Sequence, residues 1–368
     1  MLPPKSGRPR PPRSGILLYG MYDIAAMDRA PTVRIAMMTA ALNRGTHTER
    51  ITGGRFGRFA ASVRWLASGG TRRVGAVYVE SATTSAMPTD LMFLALMRLL
   101  RKPVGVYFRD AYQLFRDTYP RTSRRQILSD LLWRITTPVL RRVASRSFAP
   151  SAGLAEALHL HDPVLLGPGT DPSQPDLGAG AGQVVAYVGS TNRADGFDLL
   201  LDAMAIVHDR CPDARLELVG PPPAAADGLP AYVHSQRSSR EGLAELLRPA
   251  RLCVIPRPIN AYSSLAVPIK LWDYLSLGKA VVATAATETA GILSASGGGV
   301  ATPDTAEGLA QGLLRLLTDD VEAARMAADA RAFACAPTST WDARARTVLE
   351  TLGVASEGGS QSGAVANG

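Results

Sequence analysis

The stretch that most constrains this chain runs from Leu252 to Thr284. Leu252–Ile255 is an unbroken apolar run of strand length, and a polar loop follows from Pro256. A helical pattern covers about Pro268–Leu277, and a second apolar run covers Ala280–Ala283. Pro268 suits the first helical turn, where its missing N–H would be unpaired in any case, and Gly278 suits the C-terminal stop. Strand, loop, helix, glycine, strand is a βαβ unit. It commits the chain to a parallel sheet, and loops at strand C-termini are where such sheets bind ligands. The loop and first helical turn carry Arg257, Tyr262, Ser263, Ser264, Lys270 and Asp273. Lys270 and Asp273 are three apart on one helix face, and a cation beside a carboxylate at a helix start suits a phosphate and a sugar hydroxyl.

The same alternation recurs along the chain. Strands are expected at Gly15–Tyr19, Arg50–Thr52, Val74–Val79, Val104–Phe108 and Ser147–Ala149. A second series follows at Val184–Val188, Leu216–Val219, Leu252–Ile255, Ala280–Ala283 and Gly299–Ala301. Helical patterns separate them. The longest covers about Arg124–Arg142, with Leu128, Leu131, Leu132, Ile135, Val139 and Leu140 as its apolar stripe. At 368 residues the chain exceeds what one core usually supports. The expected organisation is two doubly wound parallel-sheet α/β domains, residues 15–170 and 183–335, joined by a Gly/Pro-rich linker at 171–182. A basic arm (1–14) and a Gly/Ser tail (356–368) read as disordered, and a helix at 336–355 is placed to pack back on the first domain.

Charge separates the halves. Residues 1–170 hold 25 Lys+Arg against 10 Asp+Glu, or +15, and the remainder holds 15 against 22, or −7, for the net +8. A basic first half fits an anionic substrate, an anionic membrane surface or nucleic acid. Arginine-rich coding bias accounts equally for the use of arginine, though not for its confinement to one half. Nucleic acid ranks last, because no recognition motif and no aromatic interleaving accompany the charge. Three cysteines without metal-ligand spacing and five histidines without a cluster give no reason to expect a metal or a disulfide. With no apolar leader and no span of membrane length, the expected setting is cytoplasmic, with peripheral contact at the inner membrane face. Leu91–Leu100, flanked by Arg98, Arg101 and Lys102, could make that contact, and a buried helix explains it as well.

Several residues could carry chemistry. The loop Gly189-Ser190-Thr191-Asn192-Arg193-Ala194-Asp195-Gly196 follows a strand, and its first glycine would let backbone amides approach a phosphate, with Arg193 adding charge. An ordinary βα turn explains the loop equally. Arg257 at a strand end suits bidentate phosphate binding. Lys270 is one of only four lysines, and the helix N-terminus where it sits disfavours a cation unless an anion is near. Asp273 could accept from a ribose diol. Asp110, just past a strand end in the first half, could bind an acceptor hydroxyl or act as general base, or could simply pair with Arg109 or Arg116. Gly20, Glu80 and Arg109 stand at the same strand ends and are further acceptor-side candidates. Hydrolase, P-loop and dinucleotide signatures are missing.

Asp-Gly-Phe-Asp-Leu-Leu-Leu-Asp-Ala-Met (195–204), Ala-Arg-Leu-Glu-Leu-Val-Gly (214–220) and Pro-Ile-Lys-Leu-Trp-Asp-Tyr-Leu-Ser-Leu-Gly-Lys-Ala-Val-Val-Ala-Thr (268–284) resemble nucleotide-sugar glycosyltransferases of the GT-B fold, in the family-four kind (glycosyl transferases group 1). Tyr-Phe-Arg-Asp-Ala-Tyr (107–112), Phe-Ala-Pro-Ser (148–151) and Gly-Thr-Asp (169–171) extend the similarity into the first half.

The resemblance implies a UDP- or GDP-sugar bound by the second domain and a glycan, lipid-linked or small-molecule acceptor bound by the first. It implies a retaining course and neither metal nor cofactor. With the residue readings above, it makes Asp110, Lys270 and Arg193 the candidate catalytic residues. Gly189, Ser190, Thr191, Arg257, Ser264, Leu265, Ala266 and Asp273 fall around the donor. The chain departs from the family's pattern at three points: Leu265 replaces the first motif glutamate, Ser190 a basic residue, and Asp195 a lysine. A catalytically degenerate scaffold and a sugar-nucleotide epimerase of the same fold are the alternatives.

Overall fold

The computed structural model describes residues 14–23, 30–221, 228–237 and 242–356; the arm and tail expected at the two ends lie almost wholly outside them. Two six-stranded sheets, all parallel, follow one another along the chain.

The first sheet is built from β1 (Ile16–Gly20), β2 (Thr48–Ile51), β3 (Ala76–Glu80), β4 (Val104–Tyr107), β5 (Arg146–Ala149) and β6 (Val164–Leu165), in spatial order β2-β1-β3-β4-β5-β6. Its crossovers are α1 (Ala30–Gly45), α2 (Arg55–Ala67), α3 (Gly70–Arg73), α4 (Pro88–Leu99), α5 (Arg124–Val143) and α6 (Ala152–Ala157). β1, β3 and β4 are buried along their whole length, the signature of strands covered on both faces, and so read in sequence as unbroken apolar runs.

The second sheet comprises β7 (Val184–Val188), β8 (Arg215–Val219), β9 (Val233–Gln236), β10 (Leu252–Ile255), β11 (Ala280–Thr284) and β12 (Gly299–Thr302), in order β12-β11-β10-β7-β8-β9. α7 (Phe197–Arg210), α8 (Leu243–Leu247), α9 (Ile269–Ser276), α10 (Thr287–Ser296), α11 (Ala306–Thr318) and α12 (Asp320–Cys335) cover it. In both sheets the strand order reverses once, between β1 and β3 and between β7 and β10. The crevice outside the strand C-termini at such a reversal is where doubly wound folds hold ligands.

Two local expectations shift. Pro268 is the N-cap of α9, one residue before its first turn, while Gly278 takes φ +67° and ends the helix as expected. The apolar stripe of α5 does not face the sheet: Trp133, Thr136 and Leu140 turn inward, whereas Leu128, Leu131, Leu132, Ile135 and Val139 are exposed.

After α12 the chain returns to the first sheet as α13 (Trp341–Leu352). Trp341, Ala345, Val348, Leu349 and Leu352 pack with Ile16, Leu18, Ile35, Met38 and Leu42, and Arg44 of α1 pairs with Asp342 at 2.6 Å. Thr170 and Thr340 form a parallel bridge where the chain crosses between the sheets in each direction. Among the described residues no helix is long and apolar enough to cross a membrane.

Candidate functional site

At the reversal of the second sheet, β7 is followed by Gly189, whose φ of +147° suits glycine. A Cβ there would lie 2.5 Å from Lys270 Nζ, so this glycine is what lets the ammonium reach the strand end. Lys270 enters from the first turn of α9. Its Nζ lies 4.5 Å from the centroid of the Tyr187 ring and donates to Tyr187 Oη at 3.5 Å. Burial pushes Lys270 down to about 8; the nearby Arg257 charge pushes the same way, and Asp195 opposes.

Gly196 brings the rest of the loop in, at φ +85°; a Cβ on it would sit 1.9 Å from the Pro256 carbonyl oxygen. That contact sets Asp195 beside Arg257, which donates to Asp195 Oδ1 at 2.9 Å. Ser190 donates to the other oxygen of Asp195, and Asn192 Nδ2 donates to both Ser190 (2.8 Å) and Asp195 (2.9 Å). Burial works against the Asp195 charge, but the Ser190 hydrogen bond and the Arg257 and Lys270 charges hold its carboxyl below the usual carboxylate range. Lys270 and Arg257 thus converge on one crevice, and both of their charges act on the Asp195 carboxylate. Thr191 is half-buried in the same loop, and Asp273 lies one turn along α9 from Lys270, also half-buried.

Arg193 is not drawn in. Its side chain is 93% exposed and its charged neighbour is Asp198 at 3.8 Å. Leu265 is turned away from the donor side altogether: it packs against the first-half core, a Cβ on Gly153 would meet it at 2.5 Å, and its carbonyl accepts from Ser151 Oγ at 2.6 Å. The amides of Ser264, Leu265 and Ala266 are spent inside their own turn, on Asn260, Tyr262 and Ser263 carbonyls. Where the family pattern has a glutamate, this chain has an apolar peg between its halves.

Across the crevice, β4 runs into Arg109 and Asp110. Neither ion pair considered for Asp110 forms: Arg109 bridges Glu80 at 2.8 Å, and Arg116 faces Asp130 at 3.9 Å. Asp110 instead accepts from Thr83 Oγ1 at 2.9 Å and from Tyr262 Oη at 3.0 Å. Burial raises its carboxyl above the ordinary value, against the Arg109 charge and these two hydrogen bonds. Behind it lies a cavity of about 10 Å³, room for about one water, walled partly by Trp133, Thr136 and Leu140 of α5.

Two acceptor-side candidates do not face the crevice. Glu80 is completely buried, bound to Arg34 Nε (3.0 Å), Arg109 (2.8 Å) and Tyr78 Oη (2.8 Å), so it holds the first half together. Gly20 is packed under Thr52 and Ile35, where a Cβ would come within 2.9 Å of Thr52. Arg109 shares the Glu80 network, and its buried Nε has no hydrogen-bond partner. Of the two carboxylates considered for an epimerase, Glu80 is spent internally and only Asp110 faces the crevice.

Tyr262 joins the two halves at the candidate site in a way that its sequence position did not reveal. It is 3% exposed, stacks on Tyr112 at 4.5 Å, and meets Phe115 and Tyr119 edge-on at 5.6 and 5.3 Å. A residue of the second-half loop is therefore seated in an aromatic cup of the first half, with its hydroxyl on Asp110. Its place at the head of the loop was visible; the cup, assembled from residues more than 140 positions earlier, was not. Among the described residues no group of three or more His, Cys, Asp or Glu could hold a metal.

Residues 182–319 match the family model described as glycosyl transferases group 1. No curated protein sequence matches the chain. Sucrose-phosphate synthase from Thermosynechococcus elongatus superposes with a TM-score of 0.68 at 16% identity, over 92% of this chain and 98% of that one. Anabaena HepE, solved with UDP-glucose, gives 0.64 at 16% identity, over 92% and 99%. WaaG, a glycosyltransferase of lipopolysaccharide biosynthesis, gives 0.64 at 14% identity, over 91% and 99%. The likeness at these identities is one of fold, and the two-sheet architecture is GT-B.

Proposed function

We propose that this chain, whose residues 182–319 form a glycosyl transferase group 1 domain, moves a sugar from a UDP- or GDP-linked donor to a hydroxyl of a glycan, lipid-linked or small-molecule acceptor. The observation that carries the reading is the convergence of Lys270 and Arg257 at the strand reversal of the second sheet, with Asp110 opposite. Two cations in a partly desolvated crevice stabilise the charge that develops on a departing diphosphate. Gly189 leaves room for the Lys270 ammonium rather than for the phosphate, since its own N–H donates to the Val219 carbonyl at 3.0 Å, and Asp273 accepts from the ribose. Asp195 is the resident anion: it keeps Arg257 aimed inward until a diphosphate shares that guanidinium. The solved complexes of HepE with UDP and UDP-glucose, on the same fold, support the choice of donor class.

Asp110 orients the acceptor hydroxyl. In the transfer, the acceptor oxygen bonds the anomeric carbon while the bond from that carbon to the diphosphate breaks, and the acceptor proton passes to Asp110 or to the leaving phosphate. The retaining, metal-independent course implied by the family resemblance fits a centre that relies on fixed cations. Arg193 has no part in this arrangement beyond the rim, and the setting proposed with it is cytoplasmic, with peripheral contact at the inner membrane face.

A thermal-shift panel of UDP, GDP, ADP and their sugar conjugates tests the reading, since a ligand that binds the native state alone raises the melting temperature with occupancy. The expected outcome is a shift confined to UDP or GDP compounds. Asp110→Asn should keep that shift while lowering turnover of the matching donor about a hundredfold or more. No shift with any nucleotide from folded protein would favour the degenerate scaffold.

A further inference from the structure

The outward turn of the α5 stripe leaves an amphipathic helix with its apolar side uncovered. Ile127, Leu128, Leu131, Leu132, Ile135 and Val139 are between 38% and 58% exposed. At 3.6 residues per turn they occupy about 140° of the helix circumference, centred opposite Trp133, Thr136 and Leu140. Single exposed aliphatic residues are ordinary on a protein surface, but six contiguous ones on one helix mark a contact.

Charge identifies the partner. Arg124 and Arg142 are exposed at the same azimuth, five turns apart, bracketing the stripe at its two ends. Exposed Arg125 and Arg134 flank it on either side. The single acid of α5, Asp130, is buried on the inner side and paired with Arg121 at 2.5 Å, so no negative charge reaches the outer face. α4, packed on α5, adds exposed Met92 and Leu99. Two copies of this chain meeting face to face along α5 would juxtapose these arginines without a counter-charge. A surface that is apolar inside and anionic at its boundary satisfies both features.

We infer that the outer face of α5 seats the protein on an anionic lipid bilayer, with the aliphatic stripe in the acyl boundary and the four arginines at the phosphate level. The position of the helix gives the contact a purpose. Its N-terminal end adjoins Tyr119 and Arg121, beside the aromatic cup that holds Tyr262, and its inner face walls the cavity behind Asp110. A bilayer along α5 therefore ends at the acceptor side of the crevice. The docking surface stands independently of the transfer reaction; a lipid-anchored acceptor is the consequence that rests on the proposed function.

Cosedimentation of the full chain with phosphatidylcholine vesicles, and with vesicles containing three parts in ten phosphatidylglycerol, tests it. Binding is expected to the anionic vesicles alone and to weaken with salt. Arg124→Gln/Arg142→Gln, at two exposed positions, should lower partitioning about twenty-five-fold, at roughly fivefold per arginine. Leu131→Glu/Ile135→Glu should abolish it. UDP thermal shifts on the same samples report the donor site separately: vesicle binding without a UDP shift would leave the docking surface standing and remove the donor reading. The proposal is overturned if the parent chain ignores anionic vesicles, or if both variants bind like the parent. It is equally overturned if sedimentation velocity shows a dimer that Ile135→Glu dissociates.

Discussion

Replacing Lys270 by methionine separates two effects that the site concentrates in one side chain. Its ammonium is held down from 10.5 to about 8, chiefly by burial. A lysine whose folded pKa lies below its unfolded value is protonated more readily when unfolded. Its charge therefore costs stability in full below pH 8, and the cost fades as pH rises from about 8 to 10.5. At 1.36 kcal/mol per pKa unit, that cost is about 3 kcal/mol at pH 7. Loss of the cation–π contact and the long hydrogen bond to Tyr187 takes back about 1 kcal/mol. Methionine keeps an unbranched stem of similar length, so Lys270→Met should be about 2 kcal/mol more stable than the parent at pH 7, the difference closing toward pH 10. UDP affinity should fall ten- to hundredfold, because a charge-assisted hydrogen bond to phosphate contributes about 1.5–3 kcal/mol. Urea denaturation at both pH values and calorimetry with UDP measure the two effects. A variant less stable at pH 7, a gap that widens with pH, or an unchanged UDP affinity would each refute the reasoning.

Glu80→Gln should cost about 3–5 kcal/mol in urea denaturation, because it leaves two buried guanidinium groups, Arg34 and Arg109, without their shared counter-charge. Arg193→Ala should change UDP affinity in calorimetry by less than about twofold, as befits an exposed arginine paired loosely with Asp198; a tenfold loss would return it to the site.

The fold was legible where both faces of a strand are buried. β1, β3, β4, β10 and β11 appear in the sequence as unbroken apolar runs because both sides of each are covered. β9 was not legible: only Val233 is buried, and His234, Ser235 and Gln236 form an edge whose pairing is set by β8. β6, two residues long, carries no pattern at all. α10 carries no clear helical pattern, since Thr287, Glu288 and Thr289 open it and its apolar residues do not gather on one side. The α5 stripe shows the opposite failure. Its period was legible and its direction was not, because periodicity says which residues share a side and is silent on what that side meets. At the candidate site, the placement of Lys270, Arg257 and Asp110 beside one crevice was legible from their positions after a strand or at a helix start. Asp195, Tyr262 and the true neighbours of Glu80 were not, because each is defined by a partner far away in the chain.

The paired crossings at Thr170 and Thr340 govern how the two halves can move. The chain passes from first half to second and back again, and the two strands of passage lie side by side, tied by the Thr170–Thr340 bridge and by Arg344 donating to the Pro168 carbonyl at 3.1 Å. A single connecting strand would act as a swivel, free to twist about its own length. Two adjacent strands act as the leaves of a door hinge: one axis of rotation remains, and torsion is removed. Tyr262 on Asp110 and Leu265 against the first-half core are the contacts that any rotation about that axis would have to break. A nick in either strand would leave the halves covalently joined while restoring the torsional freedom that the second strand removes.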